Sequence, residues 1–143
     1  MKVRELLESK GKEIVSIDST FSVEDAIRIM NKRKISAVLV MGDMKTAGIF
    51  TERDVVRCYA TADGKDFKDI PIAEAMIKDL VVAEMEDDLH NIMAVMVDKN
   101  IRHLPVVEKG TVIGMLSVRD IIQTLVGKLN SEIHHLKDYI TNI

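Results

Sequence analysis

Gly48-Ile49-Phe50-Thr51-Glu52-Arg53-Asp54 is matched 66 residues later by Gly114-Met115-Leu116-Ser117-Val118-Arg119-Asp120. In each stretch a glycine and two apolar residues run into a hydroxyl residue, and an aspartate stands three positions beyond that hydroxyl. The same offset carries Val15 onto Val81, Met30 onto Met96, Ile35 onto Ile101 and Val40 onto Val106 without a gap. Two copies of one unit therefore make up the chain.

Around each copy the hydrophobic pattern spells the same order of elements. Ile14 to Ile17 is a short β-branched run, and Ser22-Val23-Glu24-Asp25 opens a helix whose Val23, Ala26, Ile27 and Met30 share a face. Ile35 to Met41 is apolar on both sides, as a buried strand is; Gly42-Asp43 begins a turn and Ala47 to Phe50 forms the next strand. A helix starts at Thr51 and runs to about Tyr59. The second copy repeats this: strand Leu80 to Ala83, helix Leu89 to Lys99, strands His103 to Glu108 and Val112 to Leu116 around a Lys109-Gly110 hairpin, and a helix from Arg119. A leading helix, Val3 to Ser9, is echoed by Ala73 to Met76 once three residues are dropped. The expected fold is α+β: two β-α-β-β-α repeats packed sheet to sheet about a pseudo-twofold axis, with a C-terminal helix. The boundaries read as residues 1–62 for the first repeat with its leading helix, 63–71 for a linker, 72–126 for the second repeat and 127–143 for a helical tail.

Composition narrows the classes of function. The 143 residues are 47% hydrophobic and 30% charged, enough for an ordinary core and too apolar for disorder. A net charge of −3 with no basic block argues against nucleic acid. No apolar run approaches a membrane span, and the charged start at Met1-Lys2-Val3-Arg4-Glu5 does not resemble a signal peptide, so a cytoplasmic protein is expected. Cys58 is the only cysteine, which excludes an internal disulfide and a four-thiolate zinc site. Glu132, His134, His135 and Asp138 read as a solvated helical face, and no metal is expected. No Ser-His-Asp or Cys-His arrangement can be assembled, so the chain is not read as an enzyme. Met85, Met93, Met96 and Met115 read as pliable core filler.

Thr51-x-x-Asp54 and Ser117-x-x-Asp120 have two readings. Each fits a helix cap, with the hydroxyl residue and the acid satisfying free backbone N–H groups. Each also suits a nucleoside phosphate: the helix start offers N–H groups and positive partial charge, the hydroxyl donates to phosphate, and the carboxylate accepts both hydroxyls of a ribose. Gly48 and Gly114 would then let a ligand approach the strand backbone.

These motifs, with Ile101-Arg102-His103-Leu104-Pro105-Val106-Val107 and the repeated element order, resemble a tandem pair of CBS domains, the cystathionine-β-synthase-type repeat also called a Bateman module. The resemblance covers roughly residues 3 to 126, and the length, the Arg102-His103-Leu104-Pro105 run and the helical tail further resemble small bacterial proteins that are a CBS pair alone. It implies that an adenosine-containing ligand such as AMP, ATP, NAD or S-adenosylmethionine binds between the repeats, Asp54 and Asp120 holding ribose and Thr51 and Ser117 touching phosphate. It further implies that Arg102 and His103, just before Leu104-Pro105, reach phosphate. Ser36 and Ala37 occupy the matching positions of the first repeat, so unequal sites are expected. Arg53 and Arg119, beside the acids, are added as phosphate partners. Val15, Ile17 and Val81 are candidates to line adenine, or are plain core.

The tail carries its own signal. Ile122, Val126, Leu129, Ile133, Leu136, Ile140 and Ile143 alternate at spacings of four and three, with β-branched residues at a and leucine or isoleucine at d. A homodimer is expected, the tail forming a coiled coil or packing on the partner's repeats. The combined reading is a regulatory nucleotide sensor acting on an unknown protein in trans. The alternatives are a structural homodimer with vestigial sites and a nucleotide-processing enzyme.

Overall fold

The computed structural model describes residues 1–11 and 13–141. Ile143, the last member of the expected heptad stripe, lies outside them. The elements run α1 (Val3–Lys10), β1 (Ser16–Asp18), α2 (Val23–Arg33), β2 (Ala37–Gly42), β3 (Lys45–Thr51), α3 (Glu52–Thr61), a 3-10 turn (Phe67–Asp69), α4 (Ile72–Ala75), β4 (Ala83–Glu84), α5 (Leu89–Asp98), β5 (His103–Glu108), β6 (Thr111–Ser117) and α6 (Val118–Thr141). Each repeat is thus β-α-β-β-α, and the class is α+β with a long C-terminal helix.

Each repeat builds a three-stranded sheet, ordered β1-β2-β3 in one and β4-β5-β6 in the other. The first strand of each is parallel to the second, and the second is antiparallel to the third. The offset of 66 holds to the residue. Val40 faces Gly48 and Val106 faces Gly114, with a register shift just after Val40 and just after Val106. Left-handed backbone recurs with it, at Lys34 and Asn100 and at the hairpin pairs Asp43-Met44 and Lys109-Gly110. Two successive residues with positive φ let a tight hairpin follow the right-handed twist of its strands.

Strand β4 is shorter than the apolar run Leu80 to Ala83 suggested. Only Ala83 and Glu84 pair with β5, because an apolar pattern marks which side chains avoid water and not which backbone groups meet a partner strand.

The chain packs as two compact units, Glu13–Val82 and Met1–Lys12 with Ala83–Ile143. The leading segments are therefore exchanged relative to the order of the repeats: α1 packs with the second repeat, and residues 63–82, including α4, pack with the first. In the first-repeat unit, Ile17, Val23, Ala26, Met30, Val38, Val40, Phe50, Ile70 and Ile72 form one apolar cluster. Ser22 bridges to Pro71, and the Val23 N–H donates to the Ile70 carbonyl. The second-repeat unit repeats the device with α1, where Lys2 bridges to Asp88 and the Val3 N–H donates to the Asp87 carbonyl. Val3, Leu6, Leu7, Leu89, Met96, Leu104, Val106, Leu116 and Ile121 are among its buried apolar residues. Arg4 and Lys2 pair with Glu86 on the rim of the same unit. Of the methionines read as core, Met85 and Met96 are buried and Met93 and Met115 half-buried.

Candidate functional site

In the first-repeat unit, Thr51 ends β3 and caps α3. Its backbone N–H and its hydroxyl both donate to Asp54 Oδ2, at 2.8 and 3.1 Å. Asp54 is buried, and its other oxygen lies 3.3 Å from the guanidinium of Arg57 one turn along the helix. Arg57 also donates to the Ala75 carbonyl at 2.5 Å, so the carboxylate is held from its own helix and tied to the end of α4. Arg53 is exposed beside it and is engaged in an interaction of its own. The Glu52 N–H donates to the Ser36 carbonyl, bringing the start of β2 against the start of α3.

The second-repeat unit places the equivalent groups together by the same bonds. The Val118 N–H donates to the Arg102 carbonyl, and His103 pairs across the sheet with Ser117. Arg102, His103, Ser117, Arg119 and Asp120 therefore gather at one end of the sheet, around the N-terminus of α6. Arg102 and Arg119 are exposed, and Ser117 and His103 half-buried. Here Ser117 Oγ accepts from the Asp120 N–H at 3.0 Å. The Asp120 carboxylate meets a cation from outside its own helix: Lys10 Nζ is 2.5 Å from Asp120 Oδ2 and 2.6 Å from the Met115 carbonyl oxygen. Burial alone would push the Asp120 carboxyl up, but the hydrogen bonds from Lys10 and Ser117 outweigh it and hold it below the usual carboxylate range.

The apolar candidates divide. Ile17 is buried in the cluster of the first-repeat unit, and Val15 packs against it while its carbonyl accepts from the Leu39 N–H. Val81 is half-buried and precedes β4.

The two glycines of the recurring motif have a packing role within each unit. A β-carbon on Gly48 would stand 2.6 Å from the Ile77 carbonyl oxygen and 2.8 Å from Met76 Sδ; one on Gly114 would stand 2.9 Å from a Leu7 methyl. The exchanged leading segment approaches each strand closely at its glycine. Sequence reasoning also missed Lys10 and Arg57, which hold the two acids. Arg57, three residues after Asp54, was visible as an i,i+3 partner; Lys10, 110 positions from Asp120, carried no such signal.

A hollow of about 340 Å³ in the first-repeat unit is lined by Arg57, Cys58, Thr61, Lys65, Ile70, Glu74 and Met76 among others. None of the predicted site residues lines it, and its guanidinium is already engaged by Asp54 and Ala75. The Cys58 thiol is buried, and burial pushes its pKa up. Among the described residues no group of His, Cys, Asp and Glu is placed to hold a metal ion, and no helix is long and apolar enough to cross a membrane.

Two sheets of one design, each ending in a hydroxyl and an aspartate at a helix start, are the frame of a CBS pair. The CBS domain matches this chain twice, over residues 3–61 and 68–127, and the chain belongs to that family. The crystal structure of the CBS domain protein NE2398 is similar at 35% identity with a TM-score of 0.83, over 88% of this chain and 98% of that one. The mitochondrial CBS domain-containing protein CBSX3 of Arabidopsis thaliana is 29% identical over 150 residues, which is 96% of this chain and 71% of that protein. The CBS domain pair of protein MJ0100, solved in complex with 5′-methylthioadenosine and S-adenosyl-L-methionine, shares the fold at 24% identity and a TM-score of 0.77, over 90% of this chain and 98% of that one.

Proposed function

We propose that this CBS pair is a regulatory adenine-nucleotide sensor that acts on a partner protein in trans and carries out no catalysis. The observation that carries the reading is the recurrence, in both units, of a hydroxyl and a cation-held aspartate at a helix N-terminus. A carboxylate oriented there accepts the two hydroxyls of a ribose, and the adjoining N–H groups and hydroxyl suit a phosphate. The complex of MJ0100 with two adenosine derivatives supports the ligand class. Within that class AMP, ATP and NAD are the ligands proposed. Asp54 and Asp120 take ribose, Thr51 and Ser117 touch phosphate, Arg102 and His103 reach phosphate with Arg53 and Arg119 as further phosphate partners, and Val15, Ile17 and Val81 stand toward adenine. With Arg102 and His103 in the second repeat and Ser36 and Ala37 in the first, the two sites bind unequally.

The second element is a homodimer made through α6. Ile121 is buried, whereas Val126, Leu129, Ile133, Leu136 and Ile140 of the stripe are all exposed in the single chain, which is the signature of a face made for another helix. A second copy presents the same stripe and buries it by symmetry. The cytoplasmic location read from the sequence belongs to the same proposal. Native mass spectrometry of the purified protein with AMP, ATP and NAD added in turn tests the reading. A mass increment equal to one of them, carried by a dimer, is expected; the bare chain mass in all three mixtures would overturn it.

A further inference from the structure

The two carboxylates are held by cations that come from different places, and the repeat makes the exchange visible. The position matching Arg57 in the second repeat is Gln123, which carries no charge. Leading segments match at an offset of 69, since Lys2 bridges Asp88 as Pro71 bridges Ser22, and Leu7 meets Gly114 as Met76 meets Gly48. On that offset the position matching Lys10 is Asp79. Asp54 therefore meets a cation of its own helix (Arg57), whereas Asp120 meets one of the leading helix (Lys10). Lys10 fills a second vacancy too. The Ile49 carbonyl accepts from the Ile77 N–H at 2.9 Å, because α4 ends at Ala75 and frees that amide. Helix α1 continues to Lys10, so its amides are spent within the helix, and the matching Met115 carbonyl takes Lys10 Nζ instead.

We infer that Lys10 is the positioning residue for Asp120, and that through it the ribose site of the second repeat depends on the docking of α1. The inference rests on the sensor reading above. Lys10 on Oδ2, beside the hydrogen bonds from Ser117, fixes the plane in which the carboxylate accepts further hydroxyls. Without Lys10 the half-buried carboxyl loses its counter-charge and its orientation. The diol contact then weakens, while contacts to base and phosphate do not involve Lys10.

Calorimetric titration of wild type, Lys10→Met and Lys10→Arg with AMP and with 2′-deoxy-AMP tests this. Methionine keeps the apolar stem and removes the charge; arginine keeps the charge. Wild type is expected to prefer AMP, Lys10→Met to lose about tenfold in AMP affinity with little change for 2′-deoxy-AMP, and Lys10→Arg to restore most of the preference. If Lys10 merely anchors α1, both ligands weaken together and the ratio stays that of wild type, which overturns the inference. An unchanged or tightened AMP affinity in Lys10→Met overturns it as well. Wild type binding neither nucleotide removes the sensor reading and the inference with it, an outcome distinct from the other two.

Discussion

Gly48 packs so closely beneath the chain leaving α4 that a β-carbon on it would stand 2.6 Å from the carbonyl oxygen of Ile77. Ile49 and Ile77 exchange backbone hydrogen bonds of 3.0 and 2.9 Å there, so neither main chain can move aside cheaply. At Gly114 the obstacle is different, the two methyls of Leu7 at 2.9 and 3.1 Å, which belong to a side chain that can rotate. Gly48→Ala is therefore expected to destabilise by about 2–3 kcal/mol and Gly114→Ala by about 1 kcal/mol, within the range of overpacked cores. Urea unfolding of the two variants checks the order; equal losses would mean that the backbone contact at Ile77 is not the obstacle.

The leading segments show where the sequence was legible. The 66-residue offset predicted the repeated strand pairing, and the Thr51 and Ser117 stretches predicted both helix starts with their acids. The exchange of α1 and α4 between the two units was not visible, because helical spacing of Val3, Leu6 and Leu7 shows that a face is apolar and not which sheet covers it. The same gap hid the role of the glycines and the partnership of Lys10 with Asp120. Periodicity reports local environment, whereas these facts are contacts across the sequence.

Asp120 makes part of the stability dependent on pH. Its carboxyl lies below the usual range when folded, burial being outweighed by the Lys10 and Ser117 hydrogen bonds. Its contribution is then fully present above the ordinary carboxylate pKa of about 3.9, and is lost as the pH falls through the lower folded value. Thermal midpoints of wild type and Asp120→Asn are expected to differ at pH 7 and to converge in acid below about pH 4. A gap that stays constant through the acid range would show that the Lys10 pair does not hold the ionised form.

The hairpin of the first repeat carries a correctable strain. Met44 has φ 62° and is fully exposed, while its counterpart in the second repeat is Gly110. A left-handed residue with a β-carbon costs about 1–2 kcal/mol, and the greater freedom of glycine in the unfolded chain offsets about 0.5–1 of it. Met44→Gly is expected to stabilise by up to about 1 kcal/mol, read as a higher denaturation midpoint. A lower midpoint would mean that Met44 packs in solution.

Leu129 and Leu136 are exposed d positions of the α6 stripe in the single chain. Leu129→Asp with Leu136→Asp changes side chains that are 55% and 62% exposed in the single chain, so folding is expected to persist while the dimer is lost. Sedimentation equilibrium at micromolar concentration separates the outcomes: a wild-type dimer and a variant monomer support assembly through α6, and a dimer in both places the interface elsewhere.

Calorimetric titration of wild type, Asp54→Asn and Asp120→Asn with AMP is the most direct test of the sensor reading, because it asks of the two aspartates what a helix cap alone cannot do. Removing a cap lowers stability by roughly 0.5–2 kcal/mol and leaves ligand affinity alone in protein that is still folded. Removing a ribose-holding carboxylate takes away charge-assisted hydrogen bonds worth about 1.5–3 kcal/mol each, at least about tenfold in affinity. The account predicts measurable AMP binding to wild type and a loss of that size at the site of each substituted aspartate. Wild-type affinity retained in both folded variants, or no heat with wild type at all, would contradict it.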